Sequence, residues 1–63
     1  MAIEPKSAEE CRHLLRPGLY DLIGNGVSEP KAEAILEECV DTFQRDGFAA
    51  ARQKFNAAKA LAR

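Results

Sequence analysis

The sequence predicts an all-α protein: a three-helix arrangement with a kinked first helix and a C-terminal helical hairpin, oligomeric in use. Three observations predict it. Ala32, Ile35, Leu36, Cys39, Val40 and Phe43 recur at three- and four-residue steps, while Glu33, Glu37, Glu38, Asp41 and Gln44 fall on the other side. Residues that start and stop helices bracket each periodic stretch, with Ser7 and Ser28 at the starts and Gly24-Asn25-Gly26 and Gly47 at the ends. Seven of the last sixteen residues are alanine, the strongest helix former.

The first element opens at Ser7, where S-A-E-E places Glu10 three residues on as a capping box. Residues 1–6 precede it as a flexible arm. Cys11, Leu14 and Leu15 share one face. Pro17 interrupts the helix by removing a hydrogen bond and by pushing Arg16 away from helical angles. Leu19, Tyr20, Leu22 and Ile23 then form a second short helical segment, which Gly24-Asn25-Gly26 ends.

The central helix follows, with Ser28 as its cap and Pro30 in its first turn, where a missing N–H removes nothing. Gly47 is placed for a left-handed Schellman turn that folds Phe48 onto Phe43. Beyond it, Phe48, Ala51, Phe55, Ala58 and Ala62 repeat at core spacing, beside Leu61. The segment from Glu29 to Asp46 holds six acidic and two basic residues, whereas Phe48 to Arg63 holds four basic and none acidic. The expectation is that opposite charges draw these two helices together, or that the basic helix meets an acidic partner.

A chain of 63 residues makes one domain, 1–63. A domain of that size buries only about 60% of the surface its unfolded chain exposes. Three phenylalanines and no tryptophan make a thin core. Two cysteines and one histidine are too few for a disulfide scaffold or a zinc site, so a second chain is the expected support. The net charge of −1 and the absence of an apolar run near the ~20 residues of a membrane span fit a soluble protein. The opening M-A-I-E-P-K-S-A-E-E lacks the apolar stretch of a signal peptide, and the expected location is cytoplasmic.

No catalytic pairing, cofactor site or metal site is legible. Cys11 and His13 are two residues apart on a helix and point to different sides. Glu9-Glu10 and Glu37-Glu38 read as solvated faces, and G-N-G lacks the lysine and spacing of a phosphate-binding loop. Cys11 and Cys39 sit on apolar faces as buried, reduced thiols; a redox pair would need their Cα atoms within about 7 Å.

The stretch Leu22 to Leu36, L-I-G-N-G-V-S-E-P-K-A-E-A-I-L, resembles a helix-hairpin-helix motif, with Gly26, Val27, Ala32 and Ile35 in matching places and Ser28 where that motif has its second glycine. It also resembles the G-V-S turn of a helix-turn-helix. The first implies a DNA phosphate contact at the turn, through Gly26, Val27 and Ser28; the second implies a recognition helix that begins at Ser28 and presents Glu29, Lys31 and Glu33 to the DNA groove. A small DNA binder is normally basic overall, and this chain is not.

The function expected from the sequence is therefore a non-enzymatic, helical interaction or regulatory protein, a homodimer that binds another protein. Phe48, Arg52, Phe55 and Lys59 on the terminal helix are its candidate contacts. DNA binding at the Gly26 turn is the alternative.

Overall fold

A computed structural model describes residues 4–62, and within them the chain is three helices: α1 (Ala8–Gly24), α2 (Glu29–Asp46) and α3 (Phe48–Leu61). None is long and apolar enough to cross a membrane.

Ser7 caps α1 as expected, its hydroxyl accepting from the Glu10 N–H at 3.2 Å. The reciprocal half of the capping box is displaced by one residue: the Glu10 carboxylate accepts from the N–H of Lys6, not of Ser7, at 2.9 Å. That bond and the burial of Pro5 hold Glu4 to Lys6 against α1; residues 1–3 of the expected arm lie outside the described residues.

Pro17 does not break the helix. α1 is continuous through Arg16 and Pro17, and Leu19 to Ile23 extend it instead of forming a second segment. Proline in a helix interior costs about 3 kcal/mol. Leu15, Leu19 and Leu22 lie on both sides of it and are at most 6% exposed. Burying each leucine contributes roughly 1.5–3 kcal/mol, so together they outweigh the proline. The ring itself is exposed, away from this face.

The end of α1 carries the Schellman motif that the sequence reading places at Gly47. Gly26 has φ +99°; its N–H donates to the Ile23 carbonyl at 3.1 Å, and the Val27 N–H reaches back to Leu22 at 3.0 Å. Val27 then packs against the core that contains Leu22, the apolar contact that accompanies this motif.

At the start of α2, Ser28 stands at the cap position with extended backbone, but its side chain accepts no hydrogen bond. Pro30 explains part of this. It occupies a position whose N–H a capping oxygen would otherwise take.

α2 runs antiparallel to α1. Arg12 Nε and Nη2 donate to the two Glu37 oxygens at 2.6 and 2.9 Å, and Arg16 lies 4.0 Å from Glu33, one turn along each helix in opposite directions. The expected attraction between α2 and α3 is not how the acids are used. Glu33 and Glu37 pair with α1, and Lys59 of α3 lies 3.7 Å from Asp21 of α1.

The Glu37 carboxyl is held below its ordinary value, first by the hydrogen bond from Arg12, with partial desolvation opposing and the Arg12 and Arg16 charges reinforcing. A lowered carboxylate contributes stability above its unfolded pKa and loses it as pH falls through the folded value. Glu37→Gln is therefore expected to be less stable than the parent at neutral pH, with the gap closing below about pH 4. Denaturant midpoints measured across that range check it; a gap independent of pH would assign the effect to shape. The effect is small because both partners are largely exposed.

Gly47 links α2 to α3 as C-cap of one and N-cap of the other. Its φ is +96°, as a glycine there suggests, but its ψ of 172° is not the left-handed helical value. This extended mirror-image region is still more exclusive to glycine. The Gly47 N–H closes α2 on the Phe43 carbonyl at 2.9 Å. The corner brings the Phe43 and Phe48 rings edge to face, with centroids 6.3 Å apart and planes at 82°, as the sequence predicts.

α3 returns in the same sense as α1. Its buried residues are Ala51 and Phe55; Phe48, Ala58 and Ala62 of the predicted stripe are only half-buried. Phe55 reaches α1 because position 18 is glycine. A Cβ on Gly18 would overlap Phe55 Cε2 and stand 3.0 Å from Cζ. The core is completed by Cys11, Leu36, Cys39, Val40 and Ala32. Thr42, which the periodicity leaves unassigned, is also buried; its hydroxyl donates to the Glu38 carbonyl at 3.0 Å.

Candidate functional site

The four residues singled out on α3 come together along its seam with α1. Phe48, Arg52, Phe55 and Lys59 lie at i, i+4, i+7 and i+11, one face of a helix. Opposite them α1 supplies Leu14 and Gly18, and the two rows line a shallow groove. Their roles differ. Phe55 is 3% exposed and forms the floor, so it belongs to the core as much as to the groove. Phe48 is half-buried at one end, and Leu14 presents an exposed apolar edge. Leu14 is on the α1 face that the sequence reading assigns to the core; α1 turns Cys11 and Leu15 inward and leaves Leu14 at the rim.

Charge is placed unevenly in this groove. Lys59 is engaged twice, by Asp21 and by the Phe55 ring, whose centroid is 5.9 Å from the ammonium. Arg52 is exposed and makes no ion pair among the described residues. Leu14 also borders a separate hollow over Pro5, edged by Glu4, Glu9 and Glu10. At the other end Lys59 also borders a hollow with Tyr20 and Asn25. The seam thus has a cationic middle, edged by Leu14 and Phe48, and an acidic end. It holds shape and charge, not a reacting pair of groups.

Cys11 and Cys39 are free thiols, both fully buried in the core. The register set by Arg12–Glu37 and Arg16–Glu33 puts them level with each other across α1 and α2. Burial pushes both thiols up from their ordinary value; the Arg12 charge opposes this at Cys11 and the Lys54 charge at Cys39. Thiolate, the reactive form, is thereby suppressed. An excess of aromatic disulfide reagent is expected to leave both cysteines unmodified in the native protein and to label both in denaturant; rapid native labelling of either would place it at the surface. Among the described residues no group of three metal-ligating side chains is gathered in one place.

The residues of the alternative nucleic-acid contact sit in the turn between α1 and α2. The Gly26 and Val27 N–H groups donate to Ile23 and Leu22, so neither is presented to a phosphate. Ser28 and Lys31 are exposed, with Glu29 exposed between them.

The chain matches no family model, no curated protein and no solved structure.

Proposed function

We propose that this chain is a non-enzymatic protein–protein interaction module of the cytoplasm, a homodimer that binds another protein through the α1–α3 groove. The observation that supports the reading is the convergence of Phe48, Arg52 and Lys59 with Leu14 above a Phe55 floor. An open seam with apolar edges and a cation suits a stretch of polypeptide, which brings both kinds of side chain at helical spacing.

The dimer contact belongs on the opposite face of α3, where Leu61 is 87% exposed and shares a side with Ala50 and Ala57. One chain already encloses Leu22, Leu36 and Phe55, so a second copy covers an outer face instead of completing a core. A bend of α1 at Pro17, beside Gly18, belongs to the same reading, since it sets how far the Leu14 end stands from α3.

Two measurements test this. Sedimentation equilibrium at micromolar concentration is expected to give a dimer for the parent and a folded monomer for Leu61→Glu; a monomeric parent removes the dimer. A photo-crosslinking residue at exposed Asn56 is expected to capture a partner in cells that Leu14→Asp no longer captures. Equal capture by that variant removes the groove.

A further inference from the structure

The occupant of the groove is constrained by the surface around it. Leu14 on α1 and Phe48 on α3 are the groove's apolar edges, and Arg52 stands four residues beyond Phe48 along α3. Arg52 makes no ion pair among the described residues, and α3 carries no acidic side chain at all. The separate hollow over Pro5, which Leu14 also borders, is edged by carboxylates.

We propose that the α1–α3 groove takes an acidic amphipathic helix of a different protein, with apolar side chains on Leu14 and Phe48, a carboxylate on Arg52, and a cation toward the Glu9–Glu10 end. This rests on the interaction-module reading and adds the chemistry of the partner. Arginine meets a carboxylate with two parallel N–H donors, so the middle of the groove selects an acid by geometry as well as by charge.

The acidic helix of a second copy does not fit. The exposed large apolar residues among those described are Leu14, Tyr20 and Leu61, and none is on α2. The one strongly acidic helix of this chain therefore has no exposed large apolar side chain to set on Leu14 and Phe48, its Ile35 and Phe43 being packed against its own core. A nucleic acid does not fit either. Its phosphates would follow the groove past Arg52 into Glu4, Glu9 and Glu10 at one end and Asp21 at the other.

The test is a selection from displayed helices with fixed leucines at i and i+4 and with the remaining surface positions randomised. The expected winners carry Asp or Glu on the leucine side at one end and Lys or Arg at the other. Bound to the labelled protein, a synthetic winner is expected to shift the amide signals of Leu14, Phe48, Arg52 and Asn56. Arg52→Glu is expected to weaken it by about tenfold and to favour a winner with its acids changed to lysine. Arg52 is exposed and makes no ion pair among the described residues, so this variant is expected to keep the parent's melting temperature, which separates lost binding from lost folding. Winners that are basic, or that shift α2 or Leu61 signals instead, overturn the acidic-helix assignment and leave an interaction module. No winners at all overturn both. Tighter binding of a short DNA duplex than of the acidic peptide, lost in Arg52→Glu, assigns the groove to nucleic acid; peptide-free self-association lost in Leu14→Asp assigns it to a second copy.

Discussion

Phe55→Ala is expected to unfold this domain under conditions in which Phe48→Ala leaves it folded. Both are aromatic residues of the same helix face, but Phe55 is 3% exposed and Phe48 only half-buried. Truncating a buried phenylalanine costs about 3–5 kcal/mol, because the lost transfer energy is joined by the cavity left behind. At roughly 0.05–0.15 kcal/mol per residue a chain this short has only ~3–9 kcal/mol in total. Phe48, with its edge-to-face contact to Phe43 and an exposed side, is expected to cost about half as much.

Gly18 makes the prediction sharper. In the parent, Gly18→Ala pushes a methyl group into the Phe55 ring, and overpacking of this kind costs about 1–3 kcal/mol. Once Phe55 is alanine, the obstruction is gone and the same change brings a helix-propensity gain of about 1 kcal/mol. Gly18→Ala is therefore expected to lower the melting temperature of the parent and to raise it beside Phe55→Ala, provided the latter is measured with a stabilising osmolyte. The same sign in both backgrounds would mean that Gly18 and Phe55 do not meet.

That contact also marks where the sequence stops being legible. Helix periodicity identifies which residues of α2 turn inward, because a face repeats at short range and Ala32, Leu36, Cys39 and Val40 are all buried. Gly18 carries no such local signal: its cause is a ring from another helix. The same limit explains the misplaced Schellman turn. Gly26 and Gly47 both follow a helix, and both have positive φ. Which of them closes the 6→1 bond depends on the next few residues. After Gly26 the chain runs on as Val27 and Ser28 before α2, leaving room for Val27 to fold back on Leu22; after Gly47 the next helix begins at once.

Charge is legible only in part, for a related reason. Counting acids on α2 and bases on α3 says that they attract, but not which helix each carboxylate faces. Glu33 and Glu37 lie on the α1 side, opposite Arg12 and Arg16, and this leaves Arg52 of α3 without an ion pair among the described residues. The candidate groove residues were legible as a face of α3 because their spacing is helical. Their partner in the groove, Leu14, was not, since its periodicity equally fits a core position.

Pro17→Ala is expected to stabilise the protein, the second large effect. Proline at an interior helix position costs about 3 kcal/mol relative to alanine, through the missing N–H and the crowded preceding carbonyl. Removing it also frees the unfolded chain, which takes back roughly 0.4–1 kcal/mol. Pro17 is exposed and its ring contributes nothing to the core, so no burial is lost. The balance is a gain of about 2 kcal/mol, and a domain near this size shifts by ~4–8 °C for each kcal/mol, so the melting temperature is expected to rise by ~10 °C or more. The opposite result would carry its own meaning. Gly18 follows Pro17 directly, and any change in the path of α1 at that point would change how closely Phe55 can approach. A melting temperature that stays or falls in Pro17→Ala, together with altered Phe55 ring signals, would show that α1 needs the shape proline imposes in order to close its seam with α3.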